Sequence, residues 1–203
     1  MPNQQDPTDW ENHYQEGITP WDKGAPAPPL VEHLETDQIA GRILVPGCGY
    51  GHDVRAIAAA RAESEVVGLD ISATAISGAK KQSKVGQESY VHGDLFDLPD
   101  ELRGHCDYVF EHTCLSGLPP ALRPDYAEAF HTALKPGGHV LGIFFLTPWD
   151  KDEVPEPPPY GVSLEELDQM FGERFELLKE WEPTRFYPGR EGREIMRLLR
   201  RVN

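Results

Sequence analysis

The sequence predicts an α/β fold in which a mostly parallel sheet is covered by helices on both faces. Three observations support this prediction. Short apolar runs alternate with helical patterns from residue 42 onward, as strands and crossover helices do in such sheets. The run at residues 139–146 is almost entirely apolar, which is typical of a central parallel strand that is buried on both faces. A glycine-rich segment at residues 47–51 joins the first apolar run to a helical pattern, as a strand-to-helix turn does.

The predicted elements follow the chain in the alternating order that this fold requires. Before the first strand, Trp10 and Tyr14 are four residues apart and share a face of a short helix, whereas the prolines of residues 18–29 favour an extended segment. The predicted strands are residues 42–46, 65–69, 89–92, 108–110, 139–146, 175–181 and 194–200. The predicted helices lie at residues 30–34, 52–62 and 123–134, from the N-cap Ser72 to about residue 84, and from the capping box of Ser163 and Glu166. The sequence therefore predicts a Rossmann-like, doubly wound sheet of seven strands, mostly parallel, with a late antiparallel strand.

Length, charge and cysteine usage limit the class of protein. The chain has 203 residues and no long linker, so we expect a single domain over residues 1–203. Nineteen basic against thirty-four acidic residues give a net charge of −15, which disfavours partners such as nucleic acid or an anionic membrane surface. No apolar run approaches the roughly 20 residues that span a bilayer, and no secretory signal is recognisable. Because Cys48, Cys106 and Cys114 lack metal-ligand spacing, we expect no metal, and we interpret them as reduced cysteines of a cytoplasmic protein. We also expect a monomer or a weak dimer.

The glycine-rich turn and two strand-end aspartates indicate a crevice that binds a nucleoside. The turn has the spacing G-x-G-x-G, and Asp70 lies nineteen residues beyond Gly51, at the end of the second predicted strand. A carboxylate at that position can accept hydrogen bonds from ribose hydroxyls. Asp94 follows the third strand in the same way, and the ends of parallel strands meet at one edge of a sheet. His52 occupies the place of the third glycine of a dinucleotide motif, which disfavours a nicotinamide oxidoreductase.

The spacing of this turn resembles the first motif of class I S-adenosylmethionine-dependent methyltransferases. Further segments resemble the thiopurine methyltransferase superfamily, and within it the thiol and halide methyltransferase branch. These segments are ITPWD (18–22), LVPGCG (44–49), GLDIS (68–72), GDLF (93–96), LKPGG (134–138) and PPY (158–160). The resemblance implies S-adenosylmethionine as cofactor, S-adenosylhomocysteine as product, and direct in-line methyl transfer to a small thiol of the methanethiol or hydrosulfide type.

The resemblance also implies which residues hold the cofactor. Residues 1–29 would form an aromatic lid, in which Trp10, Tyr14 and Trp21 close over the cofactor. The physical reason is independent of the resemblance, since a sulfonium cation is attracted to the faces of aromatic rings. The full set of expected cofactor-binding residues is Trp10, Tyr14, Trp21, Gly47, Cys48, Gly49, Asp70, Ile71, Asp94, Leu95, Phe96 and Glu111.

The segment after the fourth predicted strand is expected to carry the acceptor chemistry. Glu111 and His112 lie there, where the related branch commonly has an aspartate and an aromatic residue. A histidine ordinarily titrates near pH 6.5, so His112 is a candidate acceptor for a thiol proton, with Glu111 as the other candidate catalytic residue. Three aromatic residues are expected to line the substrate pocket, namely Phe145, Trp149 and Tyr160.

Other functions remain open at the level of the sequence. A halide methyltransferase would need no base, and its acceptor would be another soft nucleophile. Larger aromatic thiols, or selenium and tellurium compounds, are further possible acceptors. A module that binds the cofactor without catalysis is the alternative from a different class.

Overall fold

Strands and helices alternate along the chain in the computed structural model, which describes residues 8–37, 39–149 and 156–202. The strands are β1 (Arg42–Pro46), β2 (Glu65–Asp70), β3 (Gln87–His92), β4 (Cys106–His112), β5 (Leu134–Phe145), β6 (Phe175–Trp181) and β7 (Glu194–Arg201). The helices are α1 (Trp10–Glu16), α2 (Pro28–Thr36), α3 (His52–Ala60), α4 (Ala73–Lys80), α5 (Arg123–Ala133) and α6 (Leu164–Phe171). The predicted α/β alternation is confirmed.

The seven strands form one sheet in the order β3-β2-β1-β4-β5-β7-β6. All neighbouring strands are parallel except where β7 runs antiparallel to both β5 and β6. The doubly wound sheet with a late antiparallel strand is therefore as predicted. Because β1 pairs with β2 on one side and β4 on the other, the strand order reverses there. In open α/β sheets, ligands bind in the crevice at the carboxyl ends of the strands beside such a reversal.

The apolar core lies on both faces of the sheet. Leu44, Val109 and Val140 belong to one buried cluster, whereas their neighbours in sequence Ile43 and Phe110 belong to a second. Side chains alternate between faces along a strand, so the two clusters cover opposite faces. Helices α5 and α6 contribute to the first cluster, and α2 and α3 to the second. Among the residues that the structure describes, no helix is both long and apolar enough to cross a bilayer.

Three element boundaries near the site differ from the prediction. Helix α4 ends at Lys80 rather than near residue 84, because the following loop is held by Glu88, whose carboxylate accepts from the backbone N–H groups of Val85 and Gly86 at 2.7 Å each. Strand β5 begins at Leu134, directly after α5, and its register with β4 shifts at the start of the pairing. Strand β4 extends to His112, two residues beyond the predicted end. Because Glu111 and His112 are part of the strand, their side chains point to opposite faces of the sheet.

Candidate active site

The glycine turn between β1 and α3 brings the backbone close to its neighbours. Gly47 and Gly49 have φ angles of 59° and 53°, in the left-handed region that favours glycine. A Cβ at Gly49 would lie 2.8 Å from the Tyr14 hydroxyl, and one at Gly47 would lie 2.9 Å from the Cys114 sulfur. Larger residues would therefore displace the groups that pack around the turn. The turn is joined to β2 by a bond from the Cys48 N–H to the Leu69 carbonyl, at 3.1 Å.

Asp70 holds this turn from the end of β2. Its side chain is buried and accepts from the backbone N–H groups of Gly49, at 2.8 Å, and Ser72, at 2.9 Å. Burial raises the pKa of the Asp70 carboxyl. Each carboxylate oxygen accepts more than one hydrogen bond, so Asp70 retains acceptor capacity for the hydroxyl groups of a ligand.

The ends of β2 and β3 carry the second group of expected ligand contacts. The backbone N–H of Gly93 donates to the Asp70 carbonyl at 3.0 Å, which ties the two strand ends together. Ile71 is 51% exposed and Phe96 40% exposed, an unusual exposure for large apolar side chains at a sheet edge. Asp94 accepts from the Phe96 N–H at 2.9 Å and so caps a short 3-10 turn. The Leu95 side chain packs in the core, which leaves only its backbone to meet a ligand.

The expected aromatic residues of the N-terminal segment do come together. Trp21 packs edge-on against Trp10 and Tyr14, with ring centroids 5.1 and 5.7 Å apart. Its indole N–H donates to the Tyr14 hydroxyl at 3.1 Å, and Tyr14 packs in turn on Tyr50 at 5.2 Å. Burial raises the pKa of the Tyr14 phenol, so it stays neutral. Residues 1–7 of the proposed lid lie outside the described residues.

Glu11 attaches this segment to α4, a role that no sequence pattern indicated. Its carboxylate accepts from the Ser72 hydroxyl at 2.6 Å, the Thr74 N–H at 3.1 Å and the Thr74 hydroxyl at 2.7 Å. The bonds from Ser72 and Thr74 lower the pKa of Glu11 to about 2. Ser72 is the N-cap of α4, as predicted, and its backbone N–H donates to Asp70, so the N-terminal segment is anchored at a residue that itself contacts Asp70.

A cleft lies between the aromatic segment and the glycine turn. Predicted residues on its walls include Tyr14, Trp21 and His112, together with the turn itself. Its further lining residues were not among the expected cofactor-binding, catalytic or substrate-pocket residues; they include Asp22, Lys23, Tyr50, His52, Asp53 and Tyr187. Asp22 pairs with His52 at 3.1 Å across the cleft wall.

His112, at the end of β4, is held on both sides of its ring. Its Nδ1 lies 2.8 Å from Asp53 Oδ2, and the other oxygen of Asp53 accepts from the Ala27 N–H at 2.7 Å. Its Nε2 lies 3.5 Å from an Arg190 nitrogen, and Tyr187 stacks on the ring with centroids 6.2 Å apart. Asp53 and Tyr187 belong to segments 59 residues before and 75 residues after His112, so sequence reasoning did not join them.

Arg190 connects His112 to the strands beyond it. The guanidinium donates to Glu194 on β7 at 2.8 Å and stacks over the Phe145 ring at 4.5 Å. Both charged side chains are buried, at 9% and 2% exposed. One expected substrate-pocket residue, Phe145, thereby lies next to the group that contacts His112.

Comparison with known proteins gives the family. A family model described as thiopurine S-methyltransferase matches residues 5–184. The chain belongs to this family. It is 37% identical to the probable thiol methyltransferase 2 of Arabidopsis thaliana, over 79% of this chain and 70% of that protein. It is 33% identical to thiocyanate methyltransferase 1 of Arabidopsis thaliana, over 96% and 85%, and 29% identical to the thiopurine S-methyltransferase of Shewanella amazonensis, over 85% of each.

Solved structures share the fold. A protein studied for the conversion of a disulfide into a thioacetal in echinomycin biosynthesis gives a TM-score of 0.79 at 23% identity, covering 95% of this chain and 91% of that one. The 1,6-didemethyltoxoflavin-N1-methyltransferase of Burkholderia thailandensis, solved with S-adenosylhomocysteine, gives 0.70 at 17% identity, covering 96% and 86%. The chain is thus an S-adenosylmethionine-dependent methyltransferase with a Rossmann-like fold.

The residues of this family member fit the cofactor. Asp70 offers a buried carboxylate at the end of β2, beside the glycine turn whose residues line the cleft. Aromatic faces at the cleft suit the sulfonium, while the exposed Ile71 and Phe96 offer apolar surface near the strand ends. Within the described residues, no group of three or more His, Cys, Asp or Glu side chains is arranged to hold a metal ion.

Glu111 is separated from His112 although the two are adjacent. It is 1% exposed, and its carboxylate accepts from the Leu115 N–H at 3.1 Å and from the Tyr126 hydroxyl. Burial raises the pKa of Glu111 to about 7. Because successive side chains of a strand point to opposite faces, Glu111 lies beneath the segment that follows β4, away from the cleft that His112 lines.

The remaining expected pocket residues lie on the segment that follows β5. The Trp149 indole N–H donates to the Pro159 carbonyl at 3.1 Å. The backbone N–H of Tyr160 donates to the Ser116 carbonyl at 2.6 Å, which ties this segment to the one after β4. Between them, residues 150–155 of the expected proline-rich loop lie outside the described residues.

Proposed function

We propose that this protein transfers the methyl group of S-adenosylmethionine to small thiols of the methanethiol or hydrosulfide type, by direct in-line displacement. The observation that carries the proposal is the position of His112. It lines the same cleft as the glycine turn and Trp21, and its imidazole is hydrogen-bonded to Asp53 at 2.8 Å. A proton acceptor therefore lies beside the backbone that would meet the cofactor, where an attacking thiol must lose its proton.

The cofactor-holding roles follow from the placement of each group. Asp70 would accept from the ribose hydroxyls, and Asp94, the Leu95 backbone and the side chains of Ile71 and Phe96 would meet the adenine. The turn of Gly47, Cys48 and Gly49 would face the methionine part. Tyr14 and Trp21, supported by Trp10, would cover the sulfonium and exclude water. When bound, the cofactor supplies an activated methyl group on a leaving sulfur.

The protein's own contribution is alignment and a dry site. Holding two reactants in the reactive geometry can contribute roughly 7–11 kcal/mol in favourable cases. Phe145 beside Arg190 would form one wall of the acceptor pocket, and Trp149 and Tyr160 would form the wall on the segment after β5. His112 would act as the base, whereas Glu111 would support the segment after β4.

Thiocyanate, or a halide, is the second candidate acceptor. The observation that favours it is the 33% identity, over 96% of this chain, to a protein named as a thiocyanate methyltransferase. Such an anion has no proton to lose, so its methylation would not need His112. Larger aromatic thiols are a third class, since the family model is that of a thiopurine S-methyltransferase.

The test is release of S-adenosylhomocysteine by the purified protein with a panel of acceptors. The panel comprises methanethiol, hydrosulfide, an aromatic thiol, thiocyanate and iodide. We expect the highest kcat/KM with the small thiols and loss of turnover in the double variant Trp21→Ala, Asp70→Ala. Trp181→Ala is the matched control and should keep its turnover. It removes a tryptophan from β6, the edge strand of the sheet, where the ring stacks on His33 of α2. Cofactor binding without product from any acceptor would contradict the proposal.

A further inference from the structure

Asp53 is placed to serve two partners at once. It lies in the first turn of α3, where the helix dipole stabilises a negative charge. One carboxylate oxygen accepts from the Ala27 N–H at 2.7 Å, and the other lies 2.8 Å from His112 Nδ1. The side chains of Asp53 and His112 are only 16% and 11% exposed, so water competes little for this contact. Asp53 thus ties the segment after the lid to the imidazole in the cleft.

The two neighbours of the imidazole specify the same tautomer. A carboxylate only accepts hydrogen bonds, so the Nδ1 facing Asp53 carries the hydrogen of the neutral ring. A guanidinium only donates, so the Nε2 facing Arg190 carries the lone pair. The Arg190 contact is 3.5 Å long, at the outer limit of a hydrogen bond, so the hydrogen of a bound thiol can replace it.

Arg190, the cation that faces His112, is neutralised by Glu194 at 2.8 Å and is therefore not an uncompensated charge for an anionic acceptor. Tyr187 stacks on the ring as a neutral phenol whose pKa is raised by burial. Glu111 is adjacent on β4 but points to the other face. Along the cleft, Asp22 pairs with His52, whereas the Lys23 ammonium donates to an uncharged acceptor, the Pro20 carbonyl, at 2.8 Å.

We propose that Asp53 is a positioning residue that holds His112 with its Nε2 lone pair toward the acceptor, so that the site takes alkyl thiols in their protonated form. The inference rests on the proposed function and names the form of its substrate. The thiol proton passes to His112 Nε2 as the sulfur electron pair forms the new bond to the methyl carbon. The bond from that carbon to the cofactor sulfur breaks, its electron pair stays on that sulfur, and the imidazolium later releases its proton to water.

A base is needed because a thiol is mainly protonated at neutral pH. Free cysteine, with a pKa near 8.5, is only a few per cent thiolate at pH 7. Methanethiol turnover is therefore expected to depend on the pair of Asp53 and His112. Thiocyanate and iodide have no proton to transfer, so any turnover with them is expected to be independent of the pair.

The decisive variant is Asp53→Asn, compared at pH 7 with the wild type. Its amide oxygen can still accept from the Ala27 N–H, but its amide N–H₂ faces the His112 Nδ1–H as donor against donor. We expect kcat for methanethiol to fall about 10²–10⁴-fold, the range typical of general-base catalysis, with the KM for S-adenosylmethionine changed less than about threefold. In Asp53→Asn only the thiolate that forms in solution reacts. The residual rate of this variant should therefore rise about tenfold per pH unit below the pKa of methanethiol, which is a steeper rise than in the wild type.

Glu165→Gln is the matched control and should keep wild-type turnover, because Glu165 also lies in the first turn of a helix, α6, but is exposed and outside the cleft. Any turnover of thiocyanate or iodide by Asp53→Asn should equal that of the wild type. Equal losses with all acceptors, or an unchanged pH profile, would overturn the inference in favour of a structural role.

Nitrogen-15 spectra of labelled histidine test the geometry without turnover. The signal of His112, assigned by its absence in His112→Gln, should report hydrogen on Nδ1 in the neutral wild type and a shift toward Nε2–H in Asp53→Asn. Hydrogen on Nε2 in the wild type would overturn the inference by itself. If the wild type methylated no thiol, the proposed function would fail, while these spectra would still decide how Asp53 acts on His112.

Discussion

The two sides of the strand-order reversal are built differently. On the β1–β2–β3 side, the site is mainly backbone, with the glycine turn and the Asp70 carboxylate joined by bonds between neighbouring strand ends. On the β4–β5–β7 side, the site is a chain of polar side chains from His112 through Arg190 to Glu194, and Asp53 reaches His112 from α3 on the other side. The first side suits a cofactor that every turnover uses in the same pose. Under the proposed function the second side sets which acceptor reacts, so changes there should alter chemistry more than cofactor binding.

The largest effect that sharpens this comparison is expected from His112→Gln. Removing the proposed base should lower methanethiol turnover at pH 7 by about 10²–10⁴-fold, the range typical of general-base catalysis, because the imidazole that would take the thiol proton is gone. The Kd for S-adenosylmethionine, measured by calorimetry, should change less than about threefold. If the turnover of His112→Gln equalled that of the wild type at all pH values, His112 would not be the general base.

Asp70→Ala should act on the opposite side of the comparison. It leaves the N–H groups of Gly49 and Ser72 without their buried acceptor, and each unsatisfied group costs about 1–3 kcal/mol. We expect the free energy of unfolding to fall by about 2–5 kcal/mol and the Kd for S-adenosylmethionine to rise at least tenfold. Denaturant titration and calorimetry measure both. Unchanged cofactor affinity in the folded variant would break the assignment of this side to the cofactor.

Glu111 supplies a pH-dependent test of the acceptor side. Its pKa is raised from 4.5 to about 7 by burial, so the folded state binds more protons than the unfolded chain between these values. The stability that Glu111 contributes is therefore full below pH 4.5 and is lost as the pH rises through 7. The free energy of unfolding of Glu111→Gln minus that of the wild type should therefore be about 2 kcal/mol larger at pH 8 than at pH 5, because glutamine does not titrate. A constant difference between the two proteins would show that Glu111 does not titrate this way.

The smallest effect is expected from Glu11→Gln, which loosens the lid without touching the cleft. The amide retains one acceptor oxygen for Ser72 or Thr74, so only part of the anchor is lost. We expect the KM for S-adenosylmethionine to rise a few-fold, with kcat for the thiol little changed. Since the pKa of Glu11 is about 2, the difference between the variant and the wild type should be constant from pH 5 to pH 9. A loss of kcat as large as that of His112→Gln would contradict the separation of the two sides.

The elements on the β1–β2–β3 side could be predicted because their signals are local. The glycine turn, Ser72 and Asp70 each lie within a few residues of a strand end, and parallel pairing of β1 with β2 brings those ends together. The parallel direction of these strands follows from the alternation of strands and helices along the chain. The N-terminal aromatic residues were located by resemblance and by their spacing on one short helix. Leu95 shows the limit of this reasoning, because its side chain turns into the core.

The acceptor side could be predicted only in part. Glu111 and His112 were taken together because the predicted strand ended at residue 110. The strand continues through both, so the alternation of side chains sends His112 into the cleft and Glu111 into the interior. That difference in one boundary changes which residue can touch a substrate.

The sequence by itself determined the fold class and the local elements around the glycine turn, Ser72 and Asp70, because periodicity and turn chemistry act over short stretches of chain. The cofactor-binding residues that the resemblance implies stay a prediction. Only the tertiary structure decided the partners of His112, since Asp53 and Arg190 lie 59 and 78 residues away and meet it through the packing of α3 and the loop before β7. It also decided that Arg190 is neutralised by Glu194 and that Glu11 anchors the N-terminal segment to Ser72 and Thr74. Hydrogen bonds between distant side chains depend on the sheet order and on which groups are buried together, and neither quantity is encoded in any one segment.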